Sequence, residues 1–370
     1  MSGCLLGLVA LAAVGARADP PPRLVSPEVL PDHRVTFRLR APWAQEVSLA
    51  LSGAPSATML RDGEGVWSVT TEPLEPDVYS YSFAVDGVSL MDPSNHDVIR
   101  NWVWPGSLVH VPGPLTLPWE INDVPRGRVH EQFYTSAVIG DDRSFFVYTP
   151  PGYDPRAAKT YPVLYLLHGY SDDAGAWTQI GRAHVIMDNL IARHQAVPML
   201  VVMPLGYGDL GVLAPATGPR DPALSRRNVE RFGEGLLKEV QPAVERAYRV
   251  TRGREARAIA GLSMGGGEAL AVGLNALDRF AWIGAFSSGG AAVDGDFEQG
   301  FPALSSKDNA RLRLLWVSCG KDDWLVPKTR VFAEWLKGKG ITHTFREPPG
   351  AHNWMVWRRN LAEFAPLLFR

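Results

Sequence analysis

The sequence has 370 residues, of which 46% are hydrophobic and 21% are charged, with a formal net charge of −2 at pH 7. This composition is typical of a globular protein, and the length predicts two domains rather than one compact core. The near-neutral charge excludes the basic surface by which proteins hold nucleic acid or an anionic membrane, so neither is expected as a partner.

An apolar run from Cys4 to Val14 marks the start of the chain and is too short to span a bilayer as a helix. Ala16 to Ala18 then give the small-x-small pattern of a cleavage site. We interpret residues 1–18 as a secretory signal peptide, although no Lys or Arg precedes the apolar run, and we expect a secreted or periplasmic protein. Cleavage would leave Cys319 as the single cysteine, which excludes an internal disulfide. No other stretch is long and apolar enough to span a membrane.

Residues 23–112, here called the N-terminal region, show the alternation of apolar and polar residues that is typical of half-buried strands. Turn sequences such as Asp86-Gly87 separate these runs. Short strands at this spacing predict a small all-β sandwich with an aromatic core. The runs cover residues 34–40, 46–51, 66–70 and 79–85. Trp102 and Trp104 follow in a turn-like sequence, and they either pack against the second domain or rim its functional site.

Residues 113–127 are predicted to be a linker, because this stretch begins with a Pro- and Gly-rich sequence that breaks helices and strands. The pattern changes in residues 128–370, here called the C-terminal region. Nearly continuous apolar runs alternate there with helical patterns, which predicts a mainly parallel sheet flanked by helices. Strands are expected at 144–149, 161–167, 199–204, 258–260, 281–286 and 312–317, and helices near 186–194, 232–248, 267–277, 330–337 and 360–368.

A Gly-x-Ser-x-Gly sequence, Gly261 to Gly265, joins one of these apolar runs to a helix-forming run. A strand, a sharp turn and a helix in this order are typical of the nucleophile elbow of α/β-hydrolases, where glycines allow the tight backbone that presents a serine hydroxyl. The sequence therefore predicts Ser263 as a nucleophile.

A serine hydroxyl needs a base within hydrogen-bond reach and a carboxylate behind that base. In α/β-hydrolases these follow the serine in the order acid, then histidine. Downstream of Ser263, His343 lies in an alternating strand, whereas His352 lies in a loop before the last helix, so His352 is the predicted base. The acid is expected after the strand that ends near Ser318, where spacing alone leaves Asp322 and Asp323 open.

The oxyanion of an acyl-transfer reaction needs two backbone N–H donors. One is expected from Met264, the residue after the nucleophile, and the other from Tyr170, in the loop that ends the first long apolar run. His168 precedes the serine in the chain, so we interpret it as a residue that shapes this loop rather than as the base.

Four motifs together resemble the esterase-D-like family and, within it, the feruloyl and acetyl-xylan esterases, over roughly residues 128–370. The motifs are Tyr165 to Gly169, Gly261 to Gly267, Cys319 to Leu325 and Gly350 to Arg358. In those relatives the acid is the third residue after the glycine of the third motif, which here is Asp323. The N-terminal region resembles the early-set, immunoglobulin-like modules that precede glycogen-branching enzymes, on Phe37, Trp67, Tyr79-x-Tyr81-x-Phe83 and Asp92-Pro93.

The resemblance implies a serine esterase that acts through an acyl-enzyme and needs no metal or cofactor. The expected substrates are feruloyl or acetyl esters of a plant cell-wall polysaccharide such as xylan, with a glycan contact by the N-terminal region. Trp177, Tyr207 and Trp354 lie in loops that should border the site and offer flat walls to an aromatic acyl group. The alternatives are a siderophore trilactone esterase of the enterobactin type, a non-catalytic glycan-binding protein and a mycolyl-type acyltransferase.

Overall fold

The computed structural model describes residues 23–214, 221–290 and 296–370. The predicted signal peptide, residues 1–18, lies outside the described residues.

Strands fill the N-terminal region, as the alternation of its sequence predicts. In chain order they are β1 (Glu28–Val29), β2 (Val35–Arg40), β3 (Val47–Leu51), β4 (Ala57–Thr58), β5 (Leu60–Arg61), β6 (Val66–Thr70), β7 (Asp77–Val85), β8 (Val88–Leu90), β9 (Val98–Ile99) and β10 (Gly106–Val111). They form one sheet in the order β1-β2-β6-β5 and a second in the order β4-β3-β7-β10-β9, with β8 on β7. The alternating aromatics Trp67, Tyr79, Tyr81 and Phe83 are all buried in the core, as expected.

The C-terminal region is built on one eight-stranded sheet among the described residues. Its strands are β11 (Arg128–Thr135), β12 (Asp142–Thr149), β13 (Val163–Leu167), β14 (Leu200–Pro204), β15 (Arg257–Leu262), β16 (Trp282–Phe286), β17 (Leu314–Ser318) and β18 (Thr344–Arg346). The spatial order is β11-β12-β14-β13-β15-β16-β17-β18, with β11 and β12 antiparallel and the others parallel. Apolar clusters cover both faces of this sheet. The predicted combination of an all-β region with a mainly parallel, helix-flanked sheet is confirmed.

Helices connect the parallel strands, and one further helix follows the last strand. They are α1 (Ala176–Gln179), α2 (Ala183–Ala192), α3 (Pro222–Gly235), α4 (Gln241–Ala247), α5 (Ser263–Asn275), α6 (Phe297–Gly300), α7 (Val326–Gly338) and α8 (Trp354–Phe364), with a π-helical turn, Leu236–Val240, between α3 and α4. Helix α3 begins well before the predicted start near Phe232. Asp221 caps it by accepting the Ala223 N–H at 2.9 Å, and its first turns are polar, so the apolar pattern starts late.

Strand β11 is absent from the sequence-based prediction. Its residues are exposed or half-buried along its whole length, so it lacks the apolar alternation by which a strand is identified. It is held by pairing with β12, from Arg128 opposite Thr149 to Thr135 opposite Asp142.

The two regions are in contact. The guanidinium of Arg358, on α8, is fully buried against β7, where its Nη2 lies 2.6 Å from Asp77 Oδ1. The predicted linker also packs on the C-terminal region, since the Asn122 side chain donates to Asn189 Oδ1 at 2.9 Å and Trp119 is buried in the core beside α2. The division of the chain at residues 113–127 stays a prediction.

Candidate active site

The turn between β15 and α5 has the backbone of a nucleophile elbow. Ser263 is the first residue of α5 and has a positive φ of 50°, in the left-handed region that a non-glycine residue rarely adopts. A Cβ on Gly261 would collide with the Gly265 carbonyl, and a Cβ on Gly265 would collide with the His168 carbonyl. The two glycines are therefore required by close backbone approach on either side of the serine.

Ser263, His352 and Asp323 form one chain of hydrogen bonds. His352 Nε2 lies 2.9 Å from Ser263 Oγ, and His352 Nδ1 lies 2.9 Å from Asp323 Oδ2. A carboxylate only accepts, so Nδ1 carries the proton and Nε2 is free to accept from the serine hydroxyl. The arrangement can draw a proton from Ser263 and stabilise the imidazolium that results.

The structure separates the alternatives that spacing left open. The carboxylate bonded to the imidazole is that of Asp323, whereas Asp322 accepts the Gly350 N–H at 3.3 Å. The Asp323 side chain is fully buried, which alone would raise its pKa, but hydrogen bonds from His352 and from the Leu325 N–H at 2.9 Å bring the pKa below its usual range. His343 is bonded to the Ile341 carbonyl of its own segment.

The loop after β13 passes beside the nucleophile. A Cβ on Gly169 would lie 3.4 Å from Ser263 Cβ, and both Tyr170 and Met264 line the cavity above the serine. The buried His168 side chain fixes this loop through two hydrogen bonds. Its Nδ1–H donates to the Gly169 carbonyl at 2.8 Å, and its Nε2 accepts the Gly206 N–H at 2.8 Å. Complete burial lowers the pKa of His168 to about 4, so its imidazole is neutral at pH 7.

A cavity of about 1060 Å³ opens above the serine and is lined by both regions of the chain. The C-terminal region contributes the elbow, the loop after β13 and His352. The N-terminal region contributes one wall, which includes Ser80 and Ser82 of β7 and the segment from Ile99 to Gly106. The sequence left open that the segment around Trp104 rims the site, but it did not predict the wall that includes Ser80 and Ser82, because no local pattern reports which distant surfaces meet.

The predicted aromatic walls need a correction. Trp354 lines the cavity. Trp177 and Tyr207 are completely buried and expose no surface to a substrate. The Trp177 indole N–H donates to the Leu167 carbonyl at 2.9 Å, and the Tyr207 hydroxyl donates to the Asp172 carbonyl at 3.0 Å. Trp177, on α1, therefore holds the end of β13, and Tyr207 holds the loop after β13, because both side chains point toward the core.

Two exposed tryptophans also face the cavity. Trp104 is 65% exposed and its ring lies 5.8 Å from that of Tyr170; Trp324 is 70% exposed and its ring lies 5.4 Å from that of His352. Exposed aromatic rings beside a cavity are typical of binding surfaces. The turn-like sequence around Trp104 allowed this position, whereas nothing in the sequence singled out Trp324.

The described residues contain no group of three or more His, Cys, Asp or Glu side chains that could hold a metal ion. Within the same residues, no helix combines the length and apolar character needed to cross a membrane.

Cys319 is buried beside Leu325 and Val326, and burial raises the pKa of its thiol to about 12.

Comparison with solved structures places the fold among the α/β-hydrolases. A ferulic acid esterase of the fungus Anaeromyces mucronatus is 26% identical, with a TM-score of 0.58 over 70% of this chain and 96% of that one. The enterobactin esterase of Shigella flexneri has a TM-score of 0.65 over 90% of this chain and 92% of that one, at 19% identity, which shows a shared fold alone.

The family model described as "Putative esterase" matches residues 136–368, and the chain belongs to this family. An endo-1,4-β-xylanase/feruloyl esterase of Xylanibacter ruminicola is 29% identical over 347 residues, which cover 90% of this chain and 44% of that protein. An acetyl esterase of Caldicellulosiruptor saccharolyticus is 26% identical over 54% of this chain and 80% of its own length. The prediction of a carboxylic ester hydrolase is confirmed at the level of the family.

Proposed function

We propose that this chain hydrolyses carboxylic esters through an acyl-enzyme formed on Ser263. The observation that carries the proposal is the hydrogen-bonded chain from Asp323 through His352 to Ser263, which ends in a large open cavity. In this proposal His352 is the general base, Asp323 orients it, and the backbone N–H groups of Tyr170 and Met264 receive the oxyanion.

The reaction proceeds in two steps. His352 takes the proton of Ser263 as the hydroxyl oxygen attacks the ester carbonyl, and the imidazolium then protonates the departing alcohol. In the second step His352 takes a proton from water, the hydroxide attacks the acyl carbon, and the proton returns to Ser263 as the acid leaves. Two backbone N–H donors fixed in place stabilise the negative oxygen in each step more than in the ground state.

We propose feruloyl or acetyl esters of a plant polysaccharide such as xylan as the substrates. The names of the Xylanibacter ruminicola and Caldicellulosiruptor saccharolyticus relatives support this class. Trp104, Trp324 and Trp354 line the cavity and offer apolar surface to an aromatic acyl group. The hydroxyl-bearing wall from the N-terminal region, with Ser80 and Ser82, suits the sugar that forms the alcohol half, so this region would contact glycan at the catalytic cavity itself.

The catalytic assignment is tested with p-nitrophenyl acetate. We expect Ser263→Ala to abolish hydrolysis. Ser144→Ala, which removes a half-buried hydroxyl of β12 bonded to Glu131 of β11, should leave the rate unchanged. Retained hydrolysis by folded Ser263→Ala would remove this residue as the nucleophile. A protein that binds xylan but shows no turnover of any ester would instead support the non-catalytic alternative.

The substrate class is tested by comparing methyl ferulate, acetylated xylan and a catecholate trilactone under the same conditions. Release of ferulate or acetate with the highest kcat/KM supports the proposed class. Preference for the trilactone would replace it with the siderophore alternative. Wild type should also be compared with Trp104→Ala, which we expect to raise KM for methyl ferulate more than KM for p-nitrophenyl acetate.

We also propose that the protein is exported after cleavage behind Ala18. The apolar run and the small-x-small pattern of residues 16–18 support export. Determining the amino-terminal residue of the protein from the culture fluid or periplasm tests this proposal, and Asp19 is the expected first residue.

A further inference from the structure

A segment of the N-terminal region is paired with the loop that carries the proposed oxyanion donor. Asn101 and Asp172 form an antiparallel bridge, and the Trp102 N–H donates to the Ser171 carbonyl at 2.7 Å. The Asn101 side chain adds a second link, because its Nδ2 donates to Asp172 Oδ1 at 3.0 Å. The loop from Gly169 to Asp172 is thus held by a separate part of the chain on its outer side.

The same loop needs support, because its backbone is strained. Ser171 has a positive φ of 69°, which costs energy for a residue with a Cβ and persists only where the surroundings fix it. On the inner side, Tyr207 donates to the Asp172 carbonyl and His168 to the Gly169 carbonyl. On the outer side, the fixing contacts come from residues 101–104 of the N-terminal region.

Asp172 is an unusual partner for this purpose, because it is 5% exposed and has no cation beside it among its described contacts. Burial raises its pKa to about 8, so the carboxyl is neutral at pH 7. The titratable groups that face it are Asp173 on the same loop and Tyr207 from the segment after β14. A neutral carboxyl bonded to an amide is a fixed link that costs no buried charge.

We infer that Asn101 is a positioning residue for ester hydrolysis: through Asp172 it holds the Gly169–Tyr170 backbone against Ser263, so that the N-terminal region contributes to the chemical step. The inference rests on the proposed function. Because loss of one oxyanion donor lowers kcat by about 10²–10³-fold in a serine hydrolase, a loop that keeps its donor but loses one support should lose less. We expect Asn101→Ala to lower kcat about tenfold.

The experiment measures kcat and KM for p-nitrophenyl acetate, which lacks the sugar that the N-terminal wall is proposed to contact. Asn101→Ala should lower kcat with KM changed less than twofold. The matched control is Asn122→Ala, which removes an amide hydrogen bond between the predicted linker and α2, far from the loop, and should leave both constants unchanged. Equal kcat in wild type and Asn101→Ala, or equal losses in the two variants, overturns the inference.

A second pair of variants separates positioning from folding. Asp172→Asn keeps the acceptor oxygen for Asn101 and should retain kcat within about twofold, whereas Asp172→Ala should lose about as much as Asn101→Ala. If Asn101→Ala does not fold, the comparison of Asp172→Asn with Asp172→Ala tests the inference in its place. Full activity of Asp172→Ala, or equal losses of kcat in Asp172→Asn and Asp172→Ala, overturns the inference.

The two proposals fail in different ways. An active Ser263→Ala variant contradicts the proposed nucleophile. An inactive Ser263→Ala variant combined with a fully active Asn101→Ala variant leaves the proposed function standing and removes only the positioning role.

Discussion

The buried ion pair between the two regions yields a quantitative prediction about stability. Arg358 and Asp77 are both completely buried, with Arg358 Nε and Nη2 lying 3.0 Å and 2.6 Å from the same carboxylate oxygen. Arg358 also donates to the carbonyls of Ile180, at 2.6 Å, and Val78. Burial lowers the pKa of the guanidinium, but a group that starts so basic stays charged at pH 7.

Asp77→Ala removes the counter-charge and leaves the guanidinium buried, because the side chain is enclosed by α8 and β7. Breaking a buried pair in this way costs about 3–5 kcal/mol. Arg358→Met should cost less, since Asp77 keeps Arg359 Nη2 at 2.9 Å and the Val78 N–H at 2.8 Å. The free-energy cost of Arg358→Met comes from the carbonyls of Ile180 and Val78, which lose this donor. Each contributes about 1 kcal/mol or more. Arg359→Met, at a partly exposed site, should cost less than about 1 kcal/mol.

Equilibrium urea unfolding measures these differences, followed by both tryptophan fluorescence and far-ultraviolet circular dichroism. Coincident transitions justify a single free energy of unfolding, whereas separate transitions assign the loss to one region. The expected order of destabilisation is Asp77→Ala, then Arg358→Met, then Arg359→Met. If Asp77→Ala lost less than about 1 kcal/mol, or less than Arg358→Met, the reasoning from an uncompensated buried charge would be refuted.

Three further predictions concern the catalytic region. Gly265→Ala should prevent accumulation of active enzyme, because its methyl group collides with the His168 carbonyl. The control is Gly338→Ala at the end of α7, where a methyl group meets no atom within 4 Å. This variant should raise the thermal midpoint of unfolding or leave it unchanged. Asp323→Asn should lower kcat by about 10⁴-fold, as loss of the orienting carboxylate does in serine proteases, and Asp322→Asn should retain it. Full activity in Asp323→Asn would contradict its role. His168, with an ordinary pKa of 6.5 and a folded-state pKa of about 4, should cost the native state about 3 kcal/mol as pH falls from 6.5 to 4, because only the unfolded chain takes up the proton. Urea midpoints measured at several pH values check this loss of stability. If stability depends on pH in His168→Gln as it does in wild type, His168 is not the source of the loss.

Ser263 and His352 could be selected from the sequence because local signals fix each of them. The glycines around Ser263 report a tight turn, and chain order restricts the base to two histidines. Whether a histidine lies in a strand or in a loop is also a local property, which favoured His352 over His343. The choice between Asp322 and Asp323 could not be made from spacing, because it depends on which of two adjacent side chains faces the imidazole.

The walls of the cavity could not be predicted in the same way. Tyr207 lies in the expected loop and Trp177 lies on α1, yet both rings point inward, and their polar atoms donate to the carbonyls of Asp172 and Leu167. A loop position predicts proximity to the site but not the direction of a side chain. Trp104 and Asn101 reach the site from a different region of the chain, and only the packing of the two regions brings them there.

The contacts between the two regions lie on the segments that carry the chemistry. Arg358 is on α8, the helix that begins directly after His352 and Asn353, and Asn101 is bonded to the loop that continues from Gly169. The first contact is buried and ionic, whereas the second is a neutral hydrogen bond at the cavity wall. We therefore expect their effects to separate. Asp77→Ala should lower the free energy of unfolding while the folded fraction keeps its kcat, and Asn101→Ala should lower kcat while stability changes little. A loss of kcat in folded Asp77→Ala as large as that in Asn101→Ala would show that the regions act on the site as one unit, through α8 as well as through the loop.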